Sequence, residues 1–598
     1  MFRLVSRMRC LLLLLAALAC TRPPPPRVVG ARLSSSKALE ARAVAVRRVE
    51  WRASRQAQAP AEVRLLAIND FHGQLPTGRV VAGHPVGSAG VLAAWLKAAE
   101  AGAEDRTLIV HAGDQIGASP PASALLHDEP AISFLNLFAN HDCQARERLD
   151  RPLEPWMNPH CNLVGTLGNH EFDNGRGELL RLLAGGNHPK GPFLENPWRG
   201  ARYPTLAANV VDARTGQPIL PPFVVKWIHG VPIGFIGLVL KEAPSMVIPS
   251  GTTGLKFLDE ADTANAYVEQ LKRQNVHAIV ILIHQGGSQH SDAGMAAGTS
   301  GIVFGPIVDI VRRLDDEVDV VASGHTHQFT NALLPSAGGK PVLVTQAFSY
   351  GTAYAQIDLE IDRATRDVTA KSAVVQTTWA DEGPGLRPDP AAARLQAAAD
   401  AKVAPLVRQV IGTAAEAMPN DPNTAGESAL GNLIADAERA AIPGANAAFM
   451  NPGGIRADLA PGPITWGDLF SIQPFGNSIV GLSLLGTEIR ALLEEQWLGR
   501  ASPRILLVSG IAYTFSASAP PGSKVSNVRV GGMPLEETAS YRVAVNSFLA
   551  AGGDGFAVLA RGRREVGGPL DLSALITWIR AQKSPLTAPM LGRITQAK

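Results

Sequence analysis

An α/β fold in two successive domains is predicted by three features of the 598-residue chain. From Val63 onward, apolar runs of strand length alternate with stretches of helical period, the pattern of strands joined by helices. A polar Pro/Gly break, DEGPGLRPDP, interrupts this alternation, and a second α/β series follows it. Five apolar runs of the first series end in side chains with nitrogen or oxygen donors. That places those side chains at a sheet rim, where open α/β folds keep their ligand crevices.

The elements follow in order. Arg3, Arg7 and Arg9 precede the apolar run CLLLLLAALA and Cys20, a signal-peptide layout over residues 1–20. Export is expected. No later stretch reaches the roughly 18 apolar residues of a membrane span. Cys20 has two readings. It is a small residue near a cleavage point, or the lipidated cysteine of a bacterial lipobox, which ALAC resembles although that pattern prefers Leu where Ala17 stands. A lipid there would be the only membrane anchor, on a periplasmic or cell-surface protein.

Residues 21–61, rich in Arg, Ala and Pro, read as a disordered tether, and residues 62–380 as the first domain. Within it, SAGVLAAWLKAAEAG predicts a helix capped by Ser88 with Leu92, Trp95, Leu96 and Ala99 on one face. VPIGFIGLVL, PVLVTQAFSY and YAQIDLEID read as later strands. Residues 381–405 form the linker and an Ala-rich connecting helix, and residues 406–598 the second domain. Its amphipathic helices bury Leu430, Leu433, Ile434 and Ala437 in one case, and Ile489, Leu492, Leu493 and Trp497 in the other.

The run endings carry the chemistry. RLLAIND ends in Asp70, with His72 beyond it. TLIVHAGD ends in Asp114, NLVGTLGNHEFD supplies Asn169, His170 and Asp173, AIVILIHQGG supplies His284, and VDVVASGHTH supplies His325 and His327, with Gly324 letting the backbone turn. Singly, each has a plainer reading as a turn acid or a surface or core histidine. Five in one segment do not. Mixed oxygen and nitrogen donors suit zinc, manganese or iron better than calcium, and a carboxylate such as Asp114 can bridge two ions. Two divalent ions about 3.5–4 Å apart clamp the attacking and leaving oxygens of a phosphoryl displacement. The expected class is a phosphoesterase.

The series NDFHG, GD, GNHEFD, IHQGG and GHTH, followed by NPGGIR, PFG and FLAAGGDGF, resembles the 5'-nucleotidase family from about Val63 to about Leu559. Members join a calcineurin-like metallophosphoesterase domain to a nucleotide-binding domain. The resemblance implies a layered α/β/β/α sandwich followed by a second α/β domain. It assigns Asp70, His72, Asp114 and His327 to one metal and Asp114, Asn169, His284 and His325 to the other. His170 and Asp173 match the catalytic dyad, the carboxylate fixing the imidazole's tautomer. A water activated by the metals would be the nucleophile.

In the second domain the resemblance makes Asn451, Gly453 and Arg456 substrate contacts, Phe475 and Phe548 the rings that stack the base, and Asp554 the ribose contact. Gly453 and Gly454 would also permit a backbone turn facing an anion. Core packing is the plainer role for either Phe. One departure stands out: many relatives carry phosphate-binding arginines where this chain has PNDPNTAGES, just before the helix ESALGNLIADA. Arg456 is then the only clear cationic contact, which favours monophosphates or cyclic phosphates.

Charged residues are 18% of the chain and its net charge is +2, so nothing marks nucleic acid as a partner. Outside the leader the cysteines are Cys143 and Cys161. In an oxidising compartment a bridge is favoured, with zinc binding as the rival. The expected function is release of phosphate from nucleoside 5'-monophosphates. 2',3'-Cyclic phosphodiesterase and nucleotide-sugar hydrolysis stay open within the family, and a non-catalytic surface nucleotide-binding protein outside it.

Overall fold

The computed structural model describes residues 48–54, 59–76, 79–81, 83–145, 156–289, 302–500 and 502–597. The leader, Cys20 and most of the tether lie outside them. Among the described residues no helix is long and apolar enough to cross a membrane.

The N-terminal unit is built on two sheets. The first has seven strands in the order Val49–Arg52, Val368–Thr377, Ala353–Ile361, Ala61–Ile68, Thr107–Ala112, Leu163–Thr166 and Thr205–Leu206. The second has six: Phe329–Pro335, Pro341–Ala347, Val318–Ser323, Ala278–His284, Val231–Val239 and Phe223–Ile228. Each contains a parallel core, from 61–68 to 205–206 in one and from 231–239 to 341–347 in the other. The runs are apolar on both faces because both faces are covered. Leu65, Leu108, Val110, Val280 and Leu282 meet between the sheets, while Leu66, Ile109 and Leu163 face outer helices, as do Ile279 and Ile281 on the far side. The result is the layered α/β/β/α sandwich.

One boundary moves. The segment read as tether through residue 61 already contains a strand, Val49–Arg52, paired antiparallel with Val368–Thr377. Four residues are too few for a periodic signal, but Trp51 lies under the buried Lys371 ammonium, 4.9 Å from its ring centroid, and ties the strand to the sheet.

The helix expected at SAGVLAAWLKAAEAG spans Ala89–Glu100, and the Ser88 hydroxyl accepts from Val91 N at 3.2 Å. The Ala-rich helix spans Pro390–Val407, capped by Asp389. Ala392, Ala399 and Val403 enter the outer N-terminal core, so this helix is docked rather than free. Cys143 and Cys161 form a disulfide, which removes the zinc alternative for that pair.

The C-terminal unit has a five-stranded mixed sheet, ordered Leu507–Ser509, Ala447–Met450, Ser540–Asn546, Ser478–Leu485 and Arg563–Leu570. Helices Ala429–Ala441 and Asp571–Ala581 pack against each other beside it, and Gly486–Glu494 packs into a separate core. The parallel strands 447–450 and 540–546 end side by side. Asn451 and Phe548 therefore emerge at one rim, as the metal-type donors do in the first unit.

Candidate active site

The strand-end donors converge. Asp70 and Asp114 follow adjacent parallel strands of the first sheet, and His284 and His325 end or follow adjacent strands of the second, so both rims feed one floor. Donor atoms of Asp70, His72 and His327 lie within 4.8 Å of one another, as do those of Asp70, Asp114 and His284. His284 Nε2 is 3.1 Å from Asp114 Oδ2 but misdirected for a hydrogen bond, and His327 Nε2 is 3.3 Å from Asp70 Oδ1. His72 Nε2 and His327 Nε2 face each other at 3.1 Å, and His325 Nδ1 lies 3.1 Å from Asn169 Oδ1.

Backbone groups hold these side chains. His72 Nδ1 meets Gly117 O at 2.8 Å and His284 Nδ1 meets Ala112 O at 2.8 Å, so each ring turns its Nε2 inward. The chain bends just after Gly324, which itself has no positive φ. The glycine's lack of a side chain also matters, since a Cβ there would lie 3.0 Å from Asp70 Oδ2 and 3.1 Å from His284 Nδ1. Asp70, His72, Asp114, His325 and His327 themselves adopt positive φ, from 49° to 74°. Such strain persists only where the surroundings over-determine it.

The donors suit cations. Asp70 and Asp114 are 0% and 1% exposed, and among the described residues no lysine or arginine pairs with either. Burial opposes a charge on His284, yet the Asp114 carboxylate outweighs it and pushes the imidazole pKa up to about 10. A pocket that draws a proton so strongly has the charge deficit that divalent ions fill.

His170 stands beside this floor. Its Nδ1 is 2.7 Å from Asp173 Oδ2, and its backbone N–H donates to Asp114 Oδ1 at 2.9 Å. Burial lowers its pKa, but Asp173 and Asp114 together outweigh burial and hold it above the usual histidine value. This favours the protonated imidazole, and among the described residues no hydrogen bond engages its Nε2 at the cavity wall.

A cavity of about 830 Å³ joins this floor to the C-terminal rim, and Asn169, His170, Asp173 and His325 line it together with Asn451, Gly453, Arg456, Phe475, Phe548 and Asp554. Asn451 Nδ2 donates to Asp554 Oδ2 at 3.2 Å, and Asn451 Oδ1 accepts from Asn546 Nδ2 at 2.9 Å. The Phe475 ring stacks on His170, with centroids 5.6 Å apart and planes at 18°. Phe548 lies against Gly553, where a Cβ would come within 2.5 Å of its ring. The NPGGIR turn is a short 3₁₀ segment, Pro452–Gly454, in which neither glycine needs positive φ. Gly454 is instead a matter of space, a Cβ there falling 2.5 Å from Met450 Cε.

Four residues escaped the sequence reading. Glu171 accepts the backbone N–H groups of Asp114 at 3.0 Å and Gln115 at 2.9 Å, and that of Gly168, so one buried carboxylate ties two donor loops together. Tyr350 packs beside His72 and His327, its ring lies under the Arg79 guanidinium at 3.4 Å, and its hydroxyl accepts from Arg456 Nη2 at 3.2 Å. It follows the strand 341–347, so the strand-end rule pointed to it. Arg504 lines the cavity and pairs with Asp554, which corrects the expectation of Arg456 as the only cation there.

The family model for calcineurin-like phosphoesterases matches residues 63–329, and that for the 5'-nucleotidase C-terminal domain matches residues 410–561. The chain is 35% identical over 545 residues to an endonuclease of Bacillus subtilis, covering 90% of this chain but 41% of that protein. It is 33% identical over 581 residues to a cell wall protein of Listeria monocytogenes, covering 90% of this chain and 70% of the relative. The crystal structure of a 5'-nucleotidase precursor from Thermus thermophilus superposes with a TM-score of 0.70 at 28% identity, covering 90% of this chain and 99% of that one. With both domains matched in order and the donor set at their junction, the chain belongs to the 5'-nucleotidase family of metal-dependent phosphoester hydrolases.

Proposed function

We propose that the chain releases phosphate from nucleoside 5'-monophosphates outside the cytoplasm. The observation that carries this reading is the single cavity shared by the metal-type donors and the nucleoside-type contacts. A phosphate at one end and a base at the other is the substrate shape that uses both.

In this reading Asp70, His72, Asp114 and His327 hold one divalent ion, and Asp114, Asn169, His284 and His325 the other. Two such ions supply Lewis-acid charge to a phosphoryl group and make a nearby water more acidic. The four imidazoles in the set favour zinc, manganese or iron over calcium. Asp173 fixes the His170 tautomer, and the proton at His170 Nε2 stabilises phosphoryl charge or passes to the leaving oxygen. Arg456 meets the phosphate as a cationic donor. Phe475 and Phe548 offer flat faces to the base, worth about 1–3 kcal/mol per stacked base and tolerant of its identity. Asp554 accepts from ribose hydroxyls. The domain division follows the same reading, with the first unit extended from 62–380 to take in the strand Val49–Arg52 and the docked helix Pro390–Val407, and the second following that helix to residue 598.

Export fits the leader-like residues 1–20 and the relative named as a cell wall protein. A lipid on Cys20 is tested by labelling cells with a fatty-acid probe. The function is tested by phosphate release from AMP, UMP, 2',3'-cyclic AMP and UDP-glucose, with single-stranded DNA as a further substrate. The highest kcat/KM is expected for a 5'-monophosphate. Activity confined to diesters or DNA, or nucleotide binding without turnover, refutes the proposal.

A further inference from the structure

Arg504 stands at the nucleoside end of the cavity, in a segment that no motif marked. It donates through Nη1 to Asp554 Oδ1. The other Asp554 oxygen accepts from Asn451, and the Asp554 carbonyl accepts from Arg500 Nη2 at 2.6 Å. Arg500 is itself anchored, donating through Nε to Glu495 O at 2.8 Å and lying 4.9 Å from the Phe556 ring centroid. Arg504 is not held this way. Its side chain is 37% exposed, and among the described residues its Nε and Nη2 make no hydrogen bond.

Two guanidiniums on one aspartate, Arg504 on its carboxylate and Arg500 on its backbone carbonyl, are more than neutral ribose hydroxyls require. Burial, and then the charge of Arg504, lower the Arg500 pKa below its usual value, so the two cations press on each other. An added anion would relieve that pressure. The cavity, at about 830 Å³, is also near the upper end of small-molecule sites, which run to about 1,000 Å³. There is room beyond a mononucleotide.

We propose that Arg504 forms a second anion subsite, for a phosphate carried on the ribose 3'-oxygen, so that nucleoside 3',5'-bisphosphates bind with the 5'-phosphate at the metal donors and the 3'-phosphate on Arg504. This rests on the nucleotide reading above, in which Asp554 faces the ribose hydroxyls. A donor one hydrogen bond from that carboxylate reaches any group attached to those hydroxyls. Phosphorylation of the 3'-oxygen removes one donor to Asp554 and leaves the 2'-hydroxyl. The open Nε and Nη2 of Arg504 present the parallel pair of N–H groups that a phosphate takes bidentately.

The test compares adenosine 3',5'-bisphosphate with AMP on the full chain, by titration calorimetry of metal-stripped protein and by kcat/KM for 5'-phosphate release with Mn²⁺. The ratio is read because Arg504 also braces Asp554, so both substrates lose through that shared contact. Wild type is expected to favour the bisphosphate by about tenfold or more, the usual size of one charge-assisted contact. Arg504→Gln should bring the ratio to one or below, and Arg504→Lys should keep part of it. A wild-type ratio of one, or a ratio that survives Arg504→Gln, overturns the subsite. Tighter binding of the 5'-phosphorylated dinucleotide than of the bisphosphate also overturns it, in favour of a nucleic acid strand. A binding ratio that behaves as expected while neither nucleotide is hydrolysed would sink the 5'-nucleotidase reading and leave the subsite standing.

Discussion

Removing the metals should destabilise one half of the protein selectively. All seven proposed ligands lie in the N-terminal unit, so a chelator acts there and leaves the C-terminal sheet without a direct loss. An ion present at a thousand times its dissociation constant stabilises the folded state by about 4 kcal/mol, so two ions contribute about 8 kcal/mol. Part of this returns on stripping. Five ligands sit at positive φ, and relaxing them releases about 1 kcal/mol each at the lower bound, leaving a net loss of about 3–8 kcal/mol. In a domain of this size that lowers the melting temperature by about 4–12 °C. Scanning calorimetry of chelated and remetallated protein should show the shift in one transition only. Manganese or zinc should restore it better than calcium, because four of the seven ligands are imidazoles. Asp114→Asn should lose metal and activity together, since its Oδ2 lies 3.1 Å from His284 Nε2 and 3.7 Å from His72 Nε2. An N-terminal transition that moved less than about 2 °C, or an equal shift in the C-terminal one, would refute the reasoning.

Three further outcomes are expected. His170→Ala should keep its metals and lose about 10²–10⁴ in turnover, whereas loss of an ion would make His170 a ligand. Replacing Phe475 and Phe548 with Leu should raise KM for AMP while p-nitrophenyl phosphate is spared; equal damage with a lower melting temperature would mark both as packing residues. The buried carboxyls Glu438 and Asp571 give a pH prediction for the C-terminal unit: burial, and then Asp571, hold Glu438 well above its usual pKa, and burial pushes Asp571 up to about 6. Because both folded values are raised, this stability is full below about pH 4 and is lost as pH rises through them, about 3 kcal/mol of it by Asp571. Among the described residues both Glu438 oxygens lack a hydrogen-bond partner, so Glu438→Gln should flatten the decline that sets in above the ordinary glutamate pKa; an unchanged slope in urea titrations would exclude this pair as its source.

What could be read from the chain beforehand was whatever sits where a periodic run stops. Asp70, Asp114, Asn169, His284 and His325 were legible because a buried strand announces itself by composition and its end is a place. The strand Val49–Arg52 was not, being an edge piece whose partner is over 300 residues away in sequence. Glu171 was hidden between stronger residues, and its role exists only once two loops meet. Arg504 has no local signature, since its meaning comes from Asp554, 50 residues on and in a different loop. Gly324 and Gly454 were legible as turn residues, and the chain does turn at both; that a methyl group on Gly324 would also press on Asp70 and His284 only packing shows.

The left-handed backbone at five of the proposed ligand positions bears on how such a centre can change over generations. Outside glycine, the residues that tolerate this conformation best are asparagine, aspartate and histidine, which are also good donors to these metals. Inheritance is therefore filtered twice at the same codons, by torsion and by coordination. A cysteine, or a bulkier donor placed there to favour a softer ion, meets the conformational penalty before it gains a bond, about 1–2 kcal/mol for an ordinary side chain. Lineages that drift toward another metal or another ester should keep these five positions and vary the loops that face them from the C-terminal unit.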